Sequence, residues 1–421
     1  MTLTDAQISI VKATAPVLKQ HGEAITTVFY HNLITENPSL KNIFSLTSQS
    51  TGAQPRALAH AVLAYATYID NLPALSHAVS RIAHKHVSLQ VEPAQYAIVG
   101  QYLIQAIGQV LGDAATPEIV DAWTAAYGVL ADVFIGTEGK MYEENERKDH
   151  WKGWRKFRIS KKVAESQNIS SFYLAPVDGK PLPKYLPGQY VSVQVMVPKL
   201  GHLQSRQYSL SEAPSSEMGE YRVSVKREEG EEAGVPGLIS NLLHGMQEGD
   251  EIEVSHPQGE FFVDPTDASK EGVPVVLISV GVGATPLMAI LKSLVSSEVK
   301  SRRRPVSWIH ASRSSSTQPF GDEVRRIVKE YPEQVSAHVF LKTTVPGTDQ
   351  AGVHYDFADT RMDLAKLDGE RDLHLKDERT EYYICGPERF MVEIRKVLVG
   401  LGVDRSRVHL ELFATGDVAD E

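Results

Sequence analysis

The stretch Val275-Val276-Leu277-Ile278-Ser279-Val280-Gly281-Val282-Gly283-Ala284-Thr285-Pro286 decides the architecture of the last third of the chain. A continuous apolar run of this length reads as a strand covered on both faces, as in a parallel sheet. A glycine turn follows, and then an apolar helix over 287–294. Small residues at a strand-to-helix turn let the backbone approach a phosphate-bearing ligand. The spacing is not the GxGxxG of the usual dinucleotide fingerprint, so that label does not apply. Working outward, Val306-Ser307-Trp308-Ile309-His310, residues 335–341 and Glu381-Tyr382-Tyr383-Ile384-Cys385 read as further strands. Helices are expected near 322–331, between strands, and at 387–399, after the last of them. This alternation is a doubly wound α/β domain, placed at 267–421, with 342–373 irregular.

Upstream the period changes to two. Phe157-Arg158-Ile159-Ser160, Tyr190-Val191-Ser192-Val193-Gln194-Val195 and Tyr221-Arg222-Val223-Ser224-Val225 alternate apolar and polar, as half-buried strands do. Gly and Pro punctuate them at Asp178-Gly179, Pro187-Gly188, Glu248-Gly249 and Gly259. A small antiparallel β-barrel over 149–266 fits. Further upstream, 1–148 reads as all-helical, with five to seven helices. Thr4 and Gln7 form a capping-box pattern. Leu58, Val62, Tyr65 and Ile69 share one helical face, as do Trp123, Tyr127, Leu130 and Phe134. Pro38, Pro55, Pro73, Pro93 and Pro117 sit near the expected helix starts, where proline is tolerated. The charged run 143–150 reads as a helix end and linker.

A chain of 421 residues exceeds one hydrophobic core. A net charge of -10 argues against nucleic acid as the main partner. The single cysteine, Cys385, excludes an intramolecular disulfide and thiolate clusters and fits a reducing compartment. The N-terminal residues carry no signal or transit pattern, and no segment reads as long and apolar enough to span a bilayer. The expectation is a cytoplasmic protein, not integral to a membrane.

Fifteen histidines are present. His86 lies in Arg81-Ile82-Ala83-His84-Lys85-His86-Val87, four residues from Ile82 and so on its face. A neutral imidazole there can be an axial metal ligand if its other ring nitrogen finds a partner. His84 and His60 stand as alternatives. The order Phe29-Tyr30, Pro38, Phe44, Gln54, Leu58, His86 is that of a globin pocket. With Gly188-Gln189-Tyr190 and Arg206-Gln207-Tyr208-Ser209-Leu210, it resembles the flavohaemoglobin family: a globin fused to a ferredoxin-reductase-like FAD and NAD(P)H module. The resemblance covers essentially the whole chain.

The resemblance implies one haem b with His86 as its axial ligand, one FAD, and NADPH or NADH as electron donor. Tyr30 would donate to a bound diatomic gas, with Gln54 and Leu58 beside it and Phe44 against the macrocycle. Tyr96 and Glu138 would back the proximal histidine, a carboxylate giving the imidazole more electron density. Lys85 would neutralise a haem propionate. Arg206 would face the FAD pyrophosphate, and Tyr208 the isoalloxazine. Ser209 would lie near the flavin N5, with Gln207 in the same motif and Tyr190 on the adenylate or ribityl side. Gly237, Ile239 and Ser240 would present phosphate-binding groups at a helix start. The loop 231–236 is longer than in the family and acidic.

In the same family Gly281, Gly283, Thr285 and Pro286 hold the nicotinamide dinucleotide. Cys385, Gly386 and Pro387 close beside the nicotinamide, and Phe413 lies at the flavin. Ser312 and Arg313 suit the 2'-phosphate of NADPH, so NADPH preference is expected. The implied activity is a nitric oxide dioxygenase: nitric oxide and O2 to nitrate, in a monomer with no obligate protein partner. The alternatives are a haem-linked reductase of peroxides, nitric oxide or other acceptors, and an oxygen or nitric oxide sensor.

Overall fold

The computed structural model describes residues 2–147, 151–215, 218–230, 236–296, 303–413 and 416. The end of the expected linker, 148–150, and the acidic loop 231–235 lie outside the described residues. The N-terminal part is all-α: α1 (Asp5–Ala13), α2 (Ala15–Glu36), α3 (Leu46–Ser50), α4 (Ala53–Thr67), α5 (Ser76–Ser88), α6 (Pro93–Leu111) and α7 (Pro117–Arg147). Thr4 and Gln7 make the reciprocal capping box. Pro93 and Pro117 each open a helix, where no N–H is needed. The core gathers Phe29, Tyr30, Leu33, Val62, Tyr65, Leu103 and Trp123. These side chains are the apolar stripes of α2, α4, α6 and α7 turned to one another.

One expectation needs correction. By length and composition α7 is long and apolar enough to cross a membrane. Its spaced Ala, Gly and aromatic residues keep the local charge low without forming an unbroken apolar run. The helix packs against α1, α5 and α6 and buries Ala122, Trp123, Ala126, Phe134 and the carboxylate of Glu138.

The middle part is one antiparallel sheet of β1 (Arg155–Ala164), β2 (Ile169–Pro176), β3 (Tyr190–Val197), β4 (His202–Ser209), β5 (Tyr221–Lys226) and β6 (Glu251–Val254), with α8 (Leu238–Gly245) after β5. The strand order is β4-β3-β6-β1-β2-β5. Its end strands β4 and β5 approach at one antiparallel bridge, Leu210 to Val223, so this much of the expected barrel is present. The last part is a parallel sheet of β7 (Val275–Val280), β8 (Val306–Ser312), β9 (Val335–Leu341), β10 (Glu381–Cys385) and β11 (Val408–Glu411). It carries α9 (Ala284–Val295), α10 (Gly321–Glu330) and α11 (Glu388–Gly400). The order β11-β10-β7-β8-β9 reverses direction around β7 and β10, which makes a crevice at their carboxyl ends. Residues 342–373 hold one short 3-10 turn, Leu364–Lys366, and otherwise neither helix nor strand, as expected.

An ion network joins the two sheets. The buried Arg222 guanidinium on β5 bonds Glu165 at 2.8 Å, Glu212 at 3.5 Å and, on α10, Glu323 at 3.2 Å. Lys292 of α9 pairs with both Glu212 and Glu323.

Candidate functional site

The proximal side is built from three helices. His86 near the end of α5 places Nδ1 2.8 Å from Glu138 Oε1 of α7 and 2.9 Å from the Tyr96 hydroxyl of α6. Tyr96 donates to the same carboxylate oxygen at 2.6 Å. Because the tyrosine proton is committed, the carboxylate assigns the remaining proton to Nδ1 and leaves the Nε2 lone pair free for a metal. Burial, and then the Glu138 hydrogen bond, push the Tyr96 phenol well above its ordinary pKa. A haem iron fits this donor. The alternatives do not: His60 is exposed, and His84 Nδ1 meets Gln258 Oε1 at 2.8 Å, on the neighbouring sheet.

On the opposite side, Tyr30 of α2 is buried, with the Gln54 side chain near enough to act on its phenol. Burial raises its pKa strongly, with Gln54 opposing, so the phenol stays protonated and a donor. Its ring packs edge-on against Phe44 at 5.4 Å. Leu58 lies four residues after Gln54 on α4, half-buried in the same core.

The flavin-side residues stand on β3 and β4, which pair Val193 with Arg206, Ser192 with Gln207 and Tyr190 with Ser209. The Ser209 hydroxyl is buried and has no hydrogen-bond partner among the described residues, the mark of a group waiting for a ligand atom. Burial lowers the Arg206 pKa and raises that of Tyr208. A phosphate-bearing flavin fits this set. Gln207 donates to Ser192 Oγ at 3.2 Å, and Ser192 donates to Ser88 Oγ of α5 at 2.9 Å. The strands that would hold flavin therefore touch the helix that carries His86.

Lys85 lies among Arg206, Arg81 and Glu411; burial first, then the two arginines, bring its pKa down to about 8. Glu411, enclosed there, is pushed up to about 8, chiefly by burial. Glu411 was not singled out from the sequence as a site residue; a carboxylate in an apolar C-terminal strand is the signal that could have marked it. Gln204 carries no such signal in the sequence.

At the start of α8, Ser240 Oγ is already engaged with Glu228 N and Gly237 O, and Ile239 is buried in the sheet's core. These two offer a ligand chiefly their backbone. In the turn before α9, Gly281 has φ +56°, which a side chain would strain. A Cβ on Gly283 would lie 2.2 Å from the Cys385 carbonyl oxygen, so this glycine lets the turn meet the end of β10. The turn thus lies directly against the Cys385–Gly386 peptide. Cys385 is fully buried and its thiol pKa is pushed up by burial, which argues against a nucleophile. Ser312 is buried with its hydroxyl 2.9 Å from His310 Nε2, whereas Arg313 is exposed. Phe413 is 50% exposed.

Comparison with known proteins follows this division. The family models matched are Globin at 27–134, Oxidoreductase FAD-binding domain at 156–263 and Oxidoreductase NAD-binding domain at 277–396. The flavohemoprotein of Bordetella pertussis is 46% identical over 98% of both chains. That of Deinococcus radiodurans is 47% identical over 98% of this chain and 97% of its own. The crystal structure of a Malassezia yamatoensis flavohemoglobin with bound FAD and heme covers 98% of this chain and 100% of its own, at 29% identity and a TM-score of 0.82. The chain therefore belongs to the flavohemoprotein family, in which a globin is joined to an FAD- and NAD(P)H-linked oxidoreductase.

Proposed function

We propose that this chain is a nitric oxide dioxygenase that uses NAD(P)H, with NADPH preferred, to convert nitric oxide and O2 to nitrate through one FAD and one haem b. The observation that carries the reading is the contact of Ser192 on β3 with Ser88, two residues from His86. A carboxylate-backed imidazole and a flavin-type sheet meet there within one molecule. A solved FAD/NAD-binding domain, described as belonging to the nitric oxide dioxygenase of Vibrio cholerae, supports it. That domain is 35% identical over 61% of this chain and 97% of its own, at a TM-score of 0.52.

Haem held at His86 and FAD held on β3 and β4 supply gas activation and the change from two-electron to one-electron steps when bound. The side chains do the rest. Tyr30, beside Gln54, presents a proton to the gas, while Phe44 and Leu58 keep water out. Glu138 and Tyr96 hold the imidazole ring and its tautomer. Lys85 offsets anionic charge at the junction. Arg206 and the amides of Gly237, Ile239 and Ser240 bind phosphate. Tyr190, Gln207, Tyr208 and Ser209 seat the flavin.

Gly281, Gly283, Thr285 and Pro286 receive the dinucleotide, with Cys385, Gly386 and Pro387 beside the nicotinamide. Ser312 and Arg313 recognise the 2'-phosphate, and Phe413 covers the flavin until nicotinamide docks. In this reading the domains are 1–148, 149–266 and 267–421. The middle sheet is a barrel closed through Leu210 and Val223, and the protein acts as a cytoplasmic monomer. The test is turnover of the haem- and FAD-loaded protein with NADPH and nitric oxide in air-saturated buffer. Nitrate formed catalytically, and lost without O2, supports the dioxygenase. NADPH oxidation without nitric oxide-dependent nitrate moves the function to another acceptor.

A further inference from the structure

Gln204 on β4 reaches out of its own sheet into the globin. The side chain is 2% exposed, and every polar atom on it is used. Its Nε2 donates to the Lys41 carbonyl at 2.6 Å and, more weakly, to the Phe44 carbonyl at 3.4 Å. It also meets the Leu203 carbonyl at 2.8 Å. Its Oε1 accepts from Leu46 N at 3.0 Å. Next to it, Leu203 N donates to Asn42 Oδ1 at 2.9 Å.

These bonds take up the loose backbone ends around the 3-10 turn Pro38–Asn42 and the start of α3. A buried amide or carbonyl there needs such a partner. The clasped segment carries Phe44, whose ring braces Tyr30. Along β4, Gln204, Arg206 and Tyr208 alternate onto one face, since strand side chains repeat every two residues. Two of the residues that would hold the flavin, Arg206 and Tyr208, therefore share a face with the side chain that grips the wall of the gas pocket.

We propose that Gln204 is a positioning residue that fastens the Phe44 segment to β4, so that filling the flavin site tightens the gas pocket around Tyr30. This rests on the haem and flavin placement proposed above. No other described contact of β4 grips this segment through a side chain so fully buried. The direction follows from packing: a flavin bearing on Arg206 and Tyr208 restrains β4, and the clasp passes that restraint to Lys41, Phe44 and Leu46.

The test uses the full chain loaded with haem, with and without FAD, and reads O2 dissociation from the ferrous protein by stopped flow. In the native chain, FAD slows dissociation between about twofold and tenfold, the range of one or two net hydrogen bonds. In Gln204→Met, which keeps the volume and removes the bonds, the FAD-loaded and FAD-free rates converge on the faster value. Asn42→Ala removes the neighbouring bond, leaves β4 intact and shows part of the same convergence, so the idea stays testable should Gln204→Met fail to fold. A native rate indifferent to FAD, or an undiminished FAD effect in the variants, overturns the proposal. So does loss of FAD from Gln204→Met in parallel with the rate change, because the residue would then act on the flavin strand alone. Failure to bind haem at all, read from the Soret band, would sink the proposed function instead.

Discussion

Glu138 Oε1 lies 2.8 Å from His86 Nδ1, although the two residues are 52 positions apart in the chain. A carboxylate 3% exposed has in effect two partners, the imidazole and Tyr96, and both are spent on orienting the ring. Glu138→Gln keeps the shape and removes the charge. Haem should remain bound while its reduction by flavin slows about 10- to 100-fold, the usual weight of a group behind a metal ligand. A reduction rate and iron–histidine vibration equal to the native values would take Glu138 out of that role.

Tyr30→Phe removes a buried hydroxyl. Oxygen should leave the ferrous protein up to about tenfold faster, the worth of one hydrogen bond, and nitric oxide turnover should drop. Reduction of the flavin by NADPH should not change. An unaltered oxygen off-rate removes the donor role.

Ser312 and Arg313 separate in the structure. Ser312 is turned inward onto His310 at 2.9 Å, and Arg313 is exposed. Arg313→Ala should therefore lower the ratio of kcat/KM for NADPH over NADH about tenfold or more, as loss of a charge-assisted bond would. Ser312→Ala should change that ratio by less than about threefold, its hydroxyl being already engaged. Equal kcat/KM for the two donors in the native protein would overturn the preference itself.

His310 is fully enclosed, bonded to Ser279 and Ser312 at 2.8 and 2.9 Å, and burial brings its pKa down to about 3. The unfolded ring titrates near 6.5, so the unfolded chain binds the extra proton first as pH falls. Stability from this group is whole above about pH 6.5 and is lost as pH falls toward 3. Between pH 7 and 5 the loss is about 2 kcal/mol. Urea unfolding of the native chain should show it and His310→Gln should lack it. Equal pH slopes for the two would contradict the assignment.

Arg222 is held by three carboxylates and lies 4.9 Å over the Phe320 ring. Arg222→Leu leaves Glu165 without its cation and Glu212 and Glu323 with Lys292 alone, and should cost about 3 kcal/mol. High salt should restore little of it, since a buried pair is poorly screened. A loss below about 1 kcal/mol would place this network among ordinary surface pairs.

Local patterns in the chain reveal most of this architecture. The strand Val275–Val280 and the helix faces of Val62 and Trp123 declare themselves through periodicity, because burial on one side or both acts residue by residue. His86 and Glu138 each stand on an apolar helical face and demand a partner, but Tyr96 and Glu138 are legible as the partners of His86 only through the family resemblance. Strand β2 is harder to see, since Ile169–Pro176 lacks a clean alternation and is buried along most of its length. Ser88 and Gln204 escape altogether. Their partners are 104 and about 160 positions away, and a serine or glutamine carries no pattern that points so far. The inward turn of Ser312 has a nearer cause, a histidine two positions back on the same strand. The reach of α7 toward a membrane-spanning length escapes too, because its apolar residues are spread around the helix and not gathered in one run.

The long reach of α7 has a consequence for how such a protein can be divided. The globin match ends at residue 134, while the carboxylate behind the proximal imidazole stands at 138, one turn further along the same helix. A chain severed at 134 keeps the His86 ring and loses the carboxylate that is hydrogen-bonded to it. The haem half can be inherited, transplanted or studied alone as a working module only if the cut falls beyond that turn.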